Sequence, residues 1–348
     1  MRYNRQFFYD HCGFSEVRRI SQVNVKACSN REELVYTPDY VDHEKHRQAP
    51  RTYRLSNGWG ETVVQPESAP VHATLYVYQD ADMPELEFFW EGDEYFLAGP
   101  VLERDRMAPD RRYTVYSTGG VLTRIMPGIL EKEGFSCLHA TSVYSPEKNH
   151  MMVFVGGPGA GKTILMLEAT LRRGFRLMTT EYTHFRTTGD GVEFYTGSVF
   201  DNVRAGNLLY NYTEYEKIWG KEIMDTLPTG VDPWNAKVSL DMTPLLPDSG
   251  VIRNPRVSLV FVKIEGQRDA AVVTKLDRDA TRFQLYLNAA ELISRPRLFF
   301  GCMPVPSLDT TERAWNRLKI VDNMLNTVEL VECISLFAGV NNAWIWNE

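Results

Sequence analysis

The run Gly156-Gly157-Pro158-Gly159-Ala160-Gly161-Lys162-Thr163 meets G-x-x-x-x-G-K-[ST] at every fixed position. Each residue type has a chemical reason to be there. Glycines let a loop close around a phosphate with its backbone N–H groups turned inward, where a Cβ would block several of the required φ values. A helix opening at the end of the loop adds the positive end of its dipole. Lys162 has the length and charge to reach β- and γ-phosphates, and the Thr163 hydroxyl is a hard oxygen ligand for Mg²⁺. Residues 156–163 are therefore expected to hold a nucleoside triphosphate, ATP or GTP, with Mg²⁺.

A loop of this kind needs a strand before it and a helix after it. Residues 151–155, Met-Met-Val-Phe-Val, are an apolar run of strand length, and a helical pattern follows to about Arg173, where Gly174 supplies the terminating position. Upstream, residues 136–145 read as a strand joined to 151–155 by a short polar turn at 146–149. Downstream, 175–180 reads as another strand ending at Thr180-Glu181.

The order of these pieces resembles the HPr kinase/phosphorylase family and its relatives of phosphoenolpyruvate-carboxykinase type. The resemblance rests on Cys137-Leu138-His139-Ala140-Thr141, the P-loop, and Gly174-Phe175-Arg176-Leu177-Met178-Thr179-Thr180-Glu181, and spans about 136–185. It implies an α/β fold, with a strongly curved sheet around the nucleotide, and phosphate transfer from ATP to a hydroxyl acceptor. It further implies that Lys162 and Thr163 bind phosphate and metal, that His139 stands beside the active site, and that Glu181 lies near the metal. The family's general base falls on Thr180 here, and a threonine hydroxyl takes no proton at neutral pH. Glu181 then becomes the replacement base, or the base comes from elsewhere, or the protein binds nucleotide without transferring phosphate. The C-terminal signature of HPr kinases is absent, so HPr itself is not implied as the acceptor.

Other polar residues have two readings each. Glu265 follows the apolar run 257–264 and resembles a Walker B carboxylate in position, but adjacency to the P-loop favours Glu181. His139 fits a core histidine as well as a catalytic one. His184 and Arg186 alternate onto one strand face, where an ordinary polar face is the simpler account. Asp201-Asn202-Val203-Arg204-Ala205-Gly206-Asn207 has an arginine suited to a phosphate, although a surface loop is the better expectation. Lys237 and Asp241 are undecided. His43 and His46 lack the spacing of a zinc-binding helix.

The elements expected around this core form two regions: a β-rich segment 1–118, including strands at 73–79 and within 86–97, and a P-loop kinase-like domain 119–348. The charged stretch 105–112 reads as a connector, and 43–57 as a polar loop. Leu122, Ile125, Met126, Ile129 and Leu130 recur at helical spacing, in a helix that Pro127 should kink or divide. Residues 197–254 look loop-rich, with helix at 311–325 and a terminal strand at 328–337. Across 348 residues, 43% hydrophobic and 24% charged content fits a globular chain. The net charge of −7 argues against nucleic acid as the main partner. Five dispersed cysteines form no C-x-x-C pair and suit a reducing compartment. With no signal-type or membrane-spanning run, a cytoplasmic phosphotransferase acting on a small-molecule, peptide or protein hydroxyl is expected. A nucleotide-binding regulator and an NTP hydrolase are the alternatives.

Overall fold

The computed structural model describes residues 3–31, 52–55, 60–100, 121–198, 200–227, 229–295, 297–299, 303–305 and 307–344. The expected boundary at 118, the connector 105–112, Cys302 and most of the loop 43–57, His43 and His46 included, lie outside them. The chain has a mixed α/β architecture and divides into two compact units, Met1–Glu133 with Glu291–Ala314, and Gly134–Ala290 with Trp315–Glu348.

The first unit is built on a seven-stranded mixed sheet. Its strands are β1 (Phe14–Ile20), β2 (Val23–Ser29), β3 (Thr52–Leu55), β4 (Gly60–Gln65), β5 (Ala73–Gln79), β6 (Glu87–Glu91) and β7 (Glu94–Gly99), in the order β3-β4-β1-β2-β5-β7-β6. The pattern at 86–97 resolves into the hairpin β6–β7, turning at Gly92 with φ +59°. Helix α1 (Arg5–His11) sets Phe8 against Phe89 and Phe96. Helix α2 (Val121–Lys132) runs as one element with Pro127 inside it, rather than as two pieces.

The second unit carries a nine-stranded sheet. Strands β8 (Phe135–Ser145) and β9 (His150–Val155) form the expected hairpin. β8 also pairs with β10 (Arg176–Thr179) along one half and with β11 (Tyr182–Thr188) along the other. β12 (Gly191–Tyr195) and β15 (Val251–Arg253) extend that side, while β16 (Arg256–Ile264), β20 (Glu329–Ala338) and β17 (Val272–Lys275) extend the other. β9, β16 and β20 are parallel neighbours, so their carboxyl ends lie along one edge.

Alternation along β9 assigns the two faces. Met152 and Phe154 pack with Leu165, Met166 and Ala169 of α3 (Lys162–Arg172), whereas Met151, Val153 and Val155 pack with Leu285 and Ala289 of α5 (Arg278–Ser294) and with Ile320 and Val321. Each fully buried Leu or Met contributes about 1.5–3 kcal/mol. A sheet covered on both faces in this way holds the loop between β9 and α3 rigidly.

The stretch 197–254 holds more order than its breakers suggest. β13 (Phe200–Arg204) and β14 (Lys237–Asp241) form an antiparallel ribbon separate from the main sheet. Val203, Val238 and Leu240 bury one face of that ribbon in the α3 core, and Asn202, Arg204, Lys237 and Ser239 are left exposed on the other.

Candidate functional site

Between β9 and α3 the loop takes the shape that its glycines allow. Gly159 and Gly161 have φ of +77° and +96°. A Cβ on Gly161 would lie 2.3 Å from Cγ1 of Ile264, so the loop docks directly onto the end of β16. The Ile264 N–H donates to the Ala160 carbonyl at 2.8 Å and fixes that contact. Lys162, the first residue of α3, is buried and donates through Nζ to the carbonyls of Gly156 (2.6 Å) and Gly157 (3.2 Å). Its ammonium therefore lies over the loop whose N–H groups and helix end attract anions.

Thr163 donates its hydroxyl to Oδ2 of Asp201 at 3.0 Å. Asp201 comes from β13 and is partly buried. Desolvation raises its pKa, while the Thr163 hydroxyl and the nearby charges of Lys162 and Lys237 pull in the opposite direction. A carboxylate beside the P-loop threonine is the pairing a Mg²⁺ site uses.

The segment connecting the two ribbon strands is tied to α3 at several points. The Tyr212 hydroxyl donates to the Ile164 carbonyl at 3.1 Å, and Arg172 pairs with Glu214 at 2.7 Å and lies 4.8 Å from the Tyr212 ring. The ribbon's exposed face then closes a pocket of about 350 Å³ over the loop. Arg204 and Lys237, opposite one another in the ribbon, join Lys162 in its lining, together with Asn202, Asn207 and Trp234. Three cationic residues thus line one pocket above the glycine-rich loop.

The residues singled out in the sequence are distributed unevenly. Gly157, Gly159, Ala160, Gly161, Lys162 and Thr163 line the pocket, and Gly156 lies against Ala160 and the Val262 carbonyl behind it. Pro158 is exposed in the loop. Glu181, half-buried, does not line the pocket but occupies the bend between β10 and β11. That bend adjoins the site, because the Thr180 hydroxyl donates to the Phe200 carbonyl at 2.8 Å, next to Asp201. His139 is buried on β8, 5.9 Å from the Tyr182 ring, and its carbonyl accepts from Asn288. Neither His139 nor His184 borders the pocket. Burial holds His184 neutral, with its pKa lowered to about 4. Arg186 pairs with Glu193 at 2.8 Å, and the Glu265 carboxylate pairs with Arg268 at 3.1 Å.

Asp201 is the residue that sequence reasoning passed over as part of a surface loop. Its signal was the alternation of Val203, Val238 and Leu240, which marks two strands with one buried face. Two strands so identified would have brought Asp201 back onto the P-loop helix.

Among the described residues no helix is long and apolar enough to cross a membrane, and no three His, Cys, Asp or Glu side chains gather as a metal cluster. No family model matches the chain, and no curated protein matches it. Among solved structures it is similar to the HPr(Ser) kinase/phosphatase from Coxiella burnetii, with 12% identity and a TM-score of 0.22 over 54% of this chain and 94% of that one. Similarity at that level leaves function to be argued from the residues themselves.

Proposed function

We propose that the second unit binds a nucleoside triphosphate with Mg²⁺ and transfers the γ-phosphoryl group to a hydroxyl acceptor. The observation that carries this is the Thr163–Asp201 contact at the start of the P-loop helix, with Thr163 itself lining a pocket beside Lys162, Arg204 and Lys237. Thr163 and Asp201 offer the oxygen ligands that Mg²⁺ takes, and the metal would neutralise charge between the β- and γ-phosphates. In the transfer the acceptor oxygen bonds to the γ-phosphorus as the bond to the leaving diphosphate breaks, and the acceptor proton passes to a base. Positioning and charge neutralisation supply most of the catalysis. Glu181 is the candidate base, held near β13 by the Thr180–Phe200 bond.

Thr180 also favours a second function. Its hydroxyl is engaged with a backbone carbonyl at the position where the resembling family has its base, as suits a regulator that binds nucleotide without transfer. Calorimetric titration of MgATP into wild type and Lys162→Ala tests binding. A loss of about tenfold or more in the variant, with an unchanged circular-dichroism spectrum, is expected from removing a charged hydrogen-bond donor. Equal affinities would overturn the site. An acceptor panel assayed beside plain hydrolysis then separates kinase, hydrolase and regulator.

A further inference from the structure

The pocket over the P-loop contains an aromatic side chain that phosphate chemistry does not use. Trp234 lines it and remains 42% exposed, a costly position for so large an apolar ring. Its placement is firmly set. The Trp234 backbone N–H donates to Oδ1 of Asp232 at 3.1 Å, and its backbone carbonyl accepts from Arg204. Gly206 approaches the ring so closely that a Cβ there would lie 2.4 Å from Cδ2 and 2.6 Å from Cε3. Tyr210 stacks on the indole with centroids 5.7 Å apart and planes inclined by 29°. Gly206 caps, and Tyr210 belongs to, the one-turn π-helix Asn207–Asn211, so a single short element meets the ring at both points.

Backing by Tyr210, exposure on a pocket and cations alongside make a surface suited to a flat heteroaromatic ring joined to an anion. A nucleotide is such a molecule, with its phosphates for the loop and a base for the indole. Resting on the assignment of the P-loop as a triphosphate site, we propose that Trp234, backed by Tyr210, is the stacking surface for the nucleobase. Stacking accepts any base face, so it adds affinity without a hydrogen-bond code and favours the larger purines.

The test uses the full chain with two probes, MgATP and inorganic tripolyphosphate with Mg²⁺, titrated into wild type, Trp234→Ala and Trp234→Phe. Trp234→Ala is expected to weaken MgATP on the order of tenfold and to leave tripolyphosphate unchanged, and Trp234→Phe to restore most of the ATP affinity. In wild type, MgATP should protect Trp234 from oxidative footprinting and tripolyphosphate should not, a readout that needs no variant to fold. Equal weakening of both probes, or no protection by ATP, overturns the stacking role while the P-loop assignment stands. Failure of wild type to bind either probe overturns both.

Discussion

Thr163 donates a hydrogen bond from its hydroxyl to Asp201 at 3.0 Å, joining the first turn of the P-loop helix to a strand 38 residues later in the chain. Burial raises the Asp201 pKa, so ionisation is disfavoured in the folded protein. A carboxyl of raised pKa contributes stability below its unfolded value and loses it as pH rises through the folded one. At pH 7 the ionised carboxylate thus costs stability. Asp201→Asn is expected to melt no lower than wild type without nucleotide, yet to lose the Mg²⁺ dependence of ATP binding. Melting curves at pH 7 and titrations with and without Mg²⁺ check both halves. Lower stability with intact Mg²⁺ dependence would give Asp201 a purely structural role.

Glu181 should behave differently. It occupies the bend beside β13, and Asp201, not Glu181, meets the P-loop threonine, so it is expected to matter for transfer rather than for binding. As a general base its replacement in Glu181→Gln should slow transfer by about a hundred- to ten-thousand-fold, with ATP affinity nearly unchanged. Full transfer activity in the variant would move the base elsewhere.

Gly161 is the strictest backbone requirement of the loop. Any Cβ there meets Ile264 at φ +96°, so Gly161→Ala should destabilise the second unit by about 1–3 kcal/mol and lower nucleotide affinity. Gly157→Ala is the control, since no atom lies within 4 Å of a Cβ at that position. Chemical denaturation of the two variants should separate them clearly, and equal stabilities would contradict the docking of the loop on β16.

Acid should weaken the second unit before carboxylates are fully protonated. His184 is buried with its pKa lowered to about 4 by desolvation, and His150 is shifted down in the same sense by desolvation and Arg256. A histidine of depressed folded pKa contributes stability above its unfolded value near 6.5, lost as pH falls toward the folded value. For His184 alone the full contribution is about 3 kcal/mol. Denaturant midpoints should therefore fall between about pH 6.5 and 4, less steeply in His184→Phe. A flat profile in wild type would show that the imidazole is reached by water.

The phosphate loop and its supports were legible because they are local. A polar turn at 146–149, an apolar run, the glycine-rich loop 156–163 and a helical period suffice to place β9, the loop and α3, and they fall where expected. The carboxylate was illegible because β13 finds its partner β14 more than thirty residues away, across Pro and Gly breakers that read as loop. Helix α5 went unread for a different reason. Phe283 and Leu287 stand exposed on it, which blurs the apolar stripe formed by Leu285 and Ala289. Around Pro127 the tertiary setting of α2 overrode a local breaker, since Met126, Ile129 and Leu130 bury the helix on both sides of it.

The central claim is that a divalent metal sits between Thr163 and Asp201 when a nucleotide fills the P-loop. A crystal of the protein with Mn²⁺ and a non-hydrolysable ATP analogue would locate the ion by anomalous scattering. The account predicts one metal peak beside the β- and γ-phosphates, ligated by the Thr163 hydroxyl at about 2.1 Å and by Asp201 directly or through one water. Nucleotide bound in the loop with its metal on Glu181 or Glu265, and Asp201 apart from it, would contradict it.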